Sequence, residues 1–263
     1  MTVPSDFEKA RRFYDQEYDK SQYASKVAPE RHIFYSELTD FVNRYNLQDK
    51  KVLEIGCGRG TFQHLTEEYM SVDIAFAVHQ YIKKPFMVCS APELCFRNNE
   101  FDAIWTVTVL EHVQAPERAL REIRRVLRPG GFLFLAPAWY CRPWAAQGYP
   151  VRRFSDLDFK GKLIKASIPI RESSLFRALY LFPQRILRRL TWLLEREPTA
   201  FRYRQIEPNY EKYWMSDSDA VNSMDPHEVI LWFESRGDLC VSYPSSVSSL
   251  LVRSGPLVFQ VRK

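Results

Sequence analysis

Residues 51–60 read KVLEIGCGRG. The first half is a short buried-strand pattern, and it runs straight into glycines at positions 56, 58 and 60. Glycines at a strand end let the backbone turn tightly and approach a ligand closely. The spacing is GxGxG, with Glu54 two positions before the first glycine. No Gly-Lys-Ser/Thr follows, so the loop is not a phosphate-binding P-loop. The next strand pattern, Met70–Ile74, ends near Asp73. A carboxylate there can accept both hydroxyls of a ribose.

Outward from this loop the chain alternates between two periods. The first fifty residues read as helical: Phe7–Tyr18, then a second helix opened by Pro29 that carries Phe34, Leu38, Phe41, Val42 and Tyr45. A short helix is expected after Gly60, and a short helical stretch before Pro85. Phe86–Ser90 and Phe101–Thr108 read as strands, Pro116–Leu127 as a helix, Arg128–Gly131 as a turn and Gly131–Pro137 as a strand. The alternation stops there. It resumes at Asp225-Pro226, an N-cap with proline at N1, in a helix running to Arg236 and stopped by Gly237. Leu239–Tyr243 and Leu257–Val261 are the last strands. Strands alternating with helices imply a parallel sheet covered on both faces. The expected organisation is an N-terminal helical lid over 1–50 and a core of 51–137 with 225–263. Residues 138–224 are a basic, aromatic-rich insertion in that single α/β domain.

Of the 263 residues, 46% are hydrophobic and 26% charged, which excludes a disordered chain and a collagen-like one. The five cysteines are odd in number, form no CxxC pair and lack zinc-ligand spacing, so reduced thiols and a cytoplasmic protein are expected. The N-terminus is too polar for a signal peptide, and the apolar runs fall far below the ~18 residues of a spanning helix. Net charge is +5, yet residues 139–204 hold 14 Lys/Arg against 5 Asp/Glu. A basic segment on an acidic remainder points to an anionic partner or to a solvated basic face.

Four stretches in order carry a resemblance: VLEIGCGRG, SVDI, FDAIWTVTVLEHV and REIRRVLRPGGFLFLAP. They resemble the motifs of class I S-adenosylmethionine-dependent methyltransferases, most of all the small-molecule, type 11-like branch with LEH and LRPGG signatures. The likeness is dense over Val52–Pro137 and resumes weakly over Asp225–Lys263. It implies a Rossmann-like, doubly wound α/β fold. Its sheet is seven-stranded and mostly parallel with one antiparallel strand, and a helical insertion follows the fifth strand. It implies S-adenosyl-L-methionine as cofactor and S-adenosyl-L-homocysteine as product.

Gly56, Cys57, Gly58 and Gly60 would pass under the methionine and ribose, Glu54 would hold the loop and the cofactor's amino end, and Asp73 would take the ribose hydroxyls. Ile74 would pack on the adenine. Ser90 and Ala91 lie in the stretch resembling the family's GDAEALPF, with Ser90 where the family has an aspartate; a hydroxyl accepts the same bond without charge assistance. Thr106 and Val107 would line the methionine end.

Methyl transfer from a sulfonium is an in-line displacement from an activated donor, so the protein mainly positions the acceptor and excludes water. An oxygen acceptor also needs a base. His112, just past the fourth strand, is the candidate; in this family the same residue also serves to build the pocket. His64, His79 and His227 read as structural or solvated. Tyr14, Tyr18 and Tyr23 read as a lid over the cofactor or as ordinary packing. No metal-ligand cluster is present in the sequence, so no metal is expected. Thr106-Val-Thr-Val109 stands where methyltransferases of exocyclic base amines carry Asn/Asp-Pro-Pro-Tyr/Phe, and no Pro-Cys pair supplies a cytosine C5 nucleophile.

Within the insertion, residues 174–197 read SLFRALYLFPQRILRRLTWLLERE, a basic amphipathic stretch that Pro183 is expected to kink or divide. Such a stretch caps a domain or meets an anionic membrane surface. Trp139, Tyr140, Trp144, Tyr149, Tyr213 and Trp214 read as stacking platforms for a sugar or ring, or as core. The leading expectation is O-methylation of a small-molecule or lipid-linked, saccharide-type acceptor, in the cytoplasm or peripheral at the inner face of a membrane. The alternatives are C-methylation of a quinone or isoprenoid lipid, a catalytically inactive cofactor-binding scaffold, and RNA methylation. Nucleic acid is the partner least expected.

Overall fold

Val52–Ile55 (β1) buries all four side chains, as a strand covered on both faces must. It is followed by Tyr69–Asp73 (β2), Phe86–Val88 (β3), Phe101–Val107 (β4), Leu127–Ala136 (β5), Tyr203–Gln205 (β6), Asn222–Met224 (β7), Leu239–Cys240 (β8) and Leu257–Gln260 (β9). In this computed structural model the described residues are 6–17 and 28–263. They divide into two compact units: one runs to Pro137 and adds Gly237–Ser242 and Gly255–Lys263, and the other comprises Ala138–Arg236 and Tyr243–Ser254.

The first unit holds one seven-stranded sheet in the order β3-β2-β1-β4-β5-β9-β8. β1 to β5 pair in parallel, and β9 runs antiparallel to both its neighbours. This is the expected Rossmann-like topology, with the reversed strand closing the sheet. The chain winds from β1 to β2 and β3 on one side, then to β4 and β5 on the other. In open sheets of this kind ligands bind at such a switch point, beyond the carboxyl ends of the strands. Ile55 lies opposite Val72 and Thr106, so those ends are level there.

On one face Leu38, Phe41 and Val42 of Tyr35–Arg44 (α2, numbered after α1, Asp6–Glu17) join Val52, Tyr69, Trp105 and Phe134 in a buried cluster. Pro116–Val126 (α3) buries Ala119, Leu120, Ile123 and Val126 at spacings of three and four.

Three local expectations are corrected. Residues after Gly60 form single turns, Gln63 to Gly60 and Leu65 to Phe62, not a helix. The segment is too short to repay helix nucleation. Pro29 opens only a single 3₁₀ turn, Pro29–Arg31, and α2 begins at Tyr35. β5 already starts at Leu127; its register with β4 jumps from Leu127 to Phe132, so the expected turn is a bulge inside the strand.

The second unit contains Phe159–Glu172 (α4), Ser174–Glu195 (α5), Pro226–Glu234 (α6), Ser246–Leu250 (α7) and the antiparallel pair β6–β7. Its boundary differs from the expected one: residues 225–236 and 243–254 group with the inserted segment. The ion pairs between α5 and α6, described below, are the physical reason. Asp225 caps α6 through the His227 N–H, as its Asp-Pro start predicts. Pro183 does not divide α5; the break falls at Ser173, which caps α5 through the Phe176 N–H. Pro183 is exposed, so the Leu179 carbonyl it leaves unbonded can be satisfied by water.

Candidate functional site

The loop after β1 is built on left-handed backbone. Gly56 has φ of +71° and Gly60 +66°. A Cβ on Gly56 would lie 2.2 Å from Val109 Cγ2, so the loop tolerates no side chain there on two separate counts. The Gly56 and Cys57 N–H groups donate to the Val72 carbonyl at 2.8 and 3.2 Å. Cys57 is buried, and burial pushes its thiol far above the ordinary range.

Asp73 grips the loop. One carboxylate oxygen accepts the Gly58 N–H at 3.0 Å, and the other accepts the Ala75 N–H at 3.0 Å. Burial raises its pKa to about 6, against the pull of those backbone donors, and Asp15 of α1 adds a like charge. Each oxygen keeps a further lone pair for a ligand hydroxyl. Ile74, beside it, is half-buried.

Glu54 lies beneath the loop, buried, and accepts the Tyr69 hydroxyl. Burial lifts its carboxyl to about 8 from an ordinary 4.5. The native state therefore keeps this proton across a range in which the unfolded chain has lost it. Stability from this group is full below about pH 4.5. It falls as pH rises to about 8, by roughly 1.4 kcal/mol per pH unit. Glu54→Gln keeps an acceptor for Tyr69 and has no proton to lose. Urea unfolding of both proteins at pH 5, 6.5 and 8 is expected to show the wild type losing ground to the variant as pH rises. Parallel pH curves would mean that Glu54 is ionised in the fold.

At the end of β4, Thr106 and Val107 are buried, and the Thr106 hydroxyl has no hydrogen-bond partner. Thr108 adopts φ of +53°, a costly conformation for a β-branched residue, and is held by its N–H to the Ala136 carbonyl at 2.8 Å. This turn delivers Val109 over Gly56 and starts the single 3₁₀ turn Leu110–His112. Glu111 is buried; His112 is half-buried, with Nε2 3.9 Å from Glu111 Oε1. The Tyr14 ring meets His112 edge-on at 6.0 Å, and Asp15 accepts the Ala77 N–H at 3.1 Å. α1 thus lies against the loops after β2 and β4, and Tyr14 is buried in that contact. Tyr18 and Tyr23 lie outside the described residues.

Ser90 is half-buried and bridges to Glu93, and Ala91 is buried beside it. Gly56, Gly58, Gly60, Asp73, Thr106, Val107 and His112 all stand on loops or strand ends at the same edge of the sheet. His64 stacks on Tyr35, and His79 stacks on Phe76 at the surface. His227 is fully buried in the second unit, where desolvation lowers it to about 4. Of the expected stacking platforms, Trp214 has Lys212 over its ring at 3.7 Å, Trp144 has Arg171 at 5.7 Å and Tyr140 has Arg177 at 5.8 Å. Cations already take those ring faces. Thr108 and Val109 went unrecognised in the sequence; nothing in a Thr-Val pair announces a positive φ or a close approach to glycine. Among the described residues no group of three or more His, Cys, Asp or Glu is placed to hold a metal ion.

The loop's bare Gly56, the Asp73 carboxylate and the unpartnered Thr106 hydroxyl suit a nucleoside carrying an amino-acid tail. Residues 53–135 match the family model described as a methyltransferase domain. This segment is therefore a methyltransferase domain of the class I, S-adenosylmethionine-dependent kind, and S-adenosylmethionine is its cofactor.

The chain is similar to norajmaline N-methyltransferase of Rauvolfia serpentina, 32% identical over 137 residues, 45% of this chain and 46% of that one. It is similar to a ubiquinone biosynthesis O-methyltransferase of Xanthomonas oryzae pv. oryzae, 30% identical over 112 residues, 37% of this chain and 47% of that one. Among solved structures it is similar to the trans-methyltransferase CalH in complex with S-adenosylhomocysteine, with 21% identity, TM-score 0.33, and coverage of 37% of this chain and 34% of that one. The chain spans about half the length of the curated relatives it matches.

Proposed function

We propose that the chain is an active methyltransferase that methylates a hydroxyl on a small-molecule or lipid-linked, saccharide-type acceptor, with His112 as the base. The observation that carries this reading is the half-buried imidazole of His112 at the carboxyl end of β4, one residue from buried Glu111 and against Tyr14. When bound, the cofactor supplies an electrophilic methyl group on a sulfonium.

The chain's own residues do the rest. Asp73 holds the ribose hydroxyls while keeping the loop closed through Gly58 and Ala75. Ile74, Ser90 and Ala91 face the adenine, and Thr106 and Val107 the methionine end. His112 takes the acceptor's proton as the oxygen attacks, and Glu111 keeps the ring oriented. A relative named as an O-methyltransferase supports oxygen as the acceptor atom.

The test is incubation with methyl-labelled cofactor and separate acceptors: lipid-linked sugars, a quinol lipid and RNA. Label is expected on a hydroxyl oxygen of the first class. His112→Ala is expected to lower turnover about 100-fold or more, with affinity for S-adenosylhomocysteine within about threefold of wild type. Equal loss of both would make His112 a pocket residue. Label on a ring carbon or on RNA would select those alternatives, and cofactor binding with no transfer would select the scaffold.

A further inference from the structure

The second unit is built inside out around α5. A helix that caps a domain normally buries its apolar stripe. In α5 the deeply buried side chains are Arg185 and Arg189, each 6% exposed, whereas Leu175, Leu179, Leu187, Leu190, Leu193 and Leu194 are 52–85% exposed. At roughly 100° per residue Leu187 and Leu194 lie opposite the two arginines, Leu179 and Leu190 lie about 100–120° round from their midpoint, and Leu175 and Leu193 flank them.

The arginines are spent on the interior. Arg185 forks onto Asp225 at 2.8 and 3.0 Å, and Arg188 onto Glu228 at 2.9 and 3.0 Å. Arg189 reaches Glu234 at 2.7 Å and the Ser249 hydroxyl at 2.8 Å. Three guanidinium groups thus fasten the helix to α6 and its cap and turn the leucines outward. α4 exposes Phe159, Leu163 and Ile170 as well, at spacings of four and seven that put them on one side of that helix. Exposed apolar surface of this extent on one face marks an interaction site.

We infer that the α4–α5 face docks the chain on an anionic lipid surface, lying in the plane of the interface. α5 has 22 residues, about 33 Å of helix, and no described helix is long and apolar enough to cross a membrane. Charge selects the occupant. Residues 138–236 and 243–254 hold 17 Lys/Arg against 12 Asp/Glu, the whole of the chain's net +5. With Arg185, Arg188 and Arg189 neutralised inside, exposed cations at Arg153, Lys160 and Lys162 outnumber exposed Asp156 and Asp158 among them, beside exposed Phe154, Phe159 and Leu163. Acidic headgroups complement those cations while the acyl boundary takes the leucines. A second copy of this chain would set like charges against each other. The inference does not depend on which acceptor is methylated.

The test is flotation of the full chain with vesicles of phosphatidylcholine and phosphatidylglycerol, and with phosphatidylcholine alone. It is paired with sedimentation velocity without vesicles. Wild type is expected to float with the anionic vesicles, to float less with the neutral ones, and to sediment as a monomer. The double variant Leu187→Glu, Leu190→Glu is expected to lose more than about tenfold of its vesicle partitioning. Because both side chains are exposed, its unfolding midpoint and cofactor affinity should match wild type. No flotation of wild type would overturn the inference, as would undiminished flotation of a folded double variant. A dimer that the double variant dissociates, without flotation, would assign the face to a second copy.

Discussion

Arg185→Ala is expected to cost about 3–5 kcal/mol of unfolding free energy, the penalty for removing one partner of a buried ion pair. Arg185 uses all three of its nitrogens. Nε and Nη2 fork onto Asp225, Nη2 also donates to the Tyr140 hydroxyl, and Nη1 donates to the carbonyls of Leu250 and Val252 at 2.6 and 2.8 Å. Alanine leaves a carboxylate, a phenol and two carbonyls short of their donor. Asp225 keeps its cap on the His227 N–H and the Tyr140 hydroxyl, which donates to it at 3.2 Å.

Arg185→Lys restores the charge but not the fork, so it should fall between alanine and wild type. Leu187→Ala, two residues along and two-thirds exposed, should change stability by no more than about 0.5 kcal/mol. Urea midpoints of the four proteins check this. The contrast inverts the usual rule for an amphipathic helix, in which the leucine is the costly loss. A loss under about 1 kcal/mol for Arg185→Ala would mean that the interior of this unit does not rest on its ion pairs.

That inversion also marks how far the sequence could be read. β1, β2 and β4 were legible to within a residue or two, because short apolar runs ending in glycine, aspartate or threonine leave little choice of strand. The loop and Asp73 were legible because glycine spacing and an acid at a strand end are local signals. The two stripes of α5 were legible too. Which stripe packs inward was not, since that is settled by Asp225, Glu228 and Glu234 on α6, some forty residues downstream. Periodicity reports that a helix has two faces and is silent about their partners. The missing helix after Gly60 has a different cause: the residues suit a helix, but the segment is too short to form more than turns. Thr108 was invisible because its strain is imposed by the sheet it leaves.

Gly56→Ala is the corresponding test of the first unit, and it is expected to weaken binding of S-adenosylhomocysteine by about 100-fold or more. Two costs meet at this position. An L-residue at φ of +71° pays about 1–2 kcal/mol. A Cβ 2.2 Å from Val109 Cγ2 forces an overpacked contact that costs about 1–3 kcal/mol more. The strain is relieved most easily by moving Val109. Val109 follows strained Thr108 and leads into Leu110–His112, so the relief displaces both walls of the site.

Gly130→Ala separates the two costs. Gly130 has φ of +80°, and nothing lies within 4 Å of its would-be Cβ. It sits in the bulge near the amino end of β5, away from the loops at the strands' carboxyl ends. That variant should lose stability and keep its cofactor affinity. Gly56→Ala combined with Val109→Ala removes the two closest contacts, leaves a Cβ contact at 3.1 Å and keeps the backbone penalty, and should recover part of the lost affinity. Calorimetric titration of the four proteins reads the affinities, and their urea midpoints read the stabilities. If Gly56→Ala binds within about threefold of wild type while Gly130→Ala is destabilised as expected, the loop after β1 does not carry the cofactor, and the assignment of Gly56, Gly58, Gly60 and Asp73 falls with it.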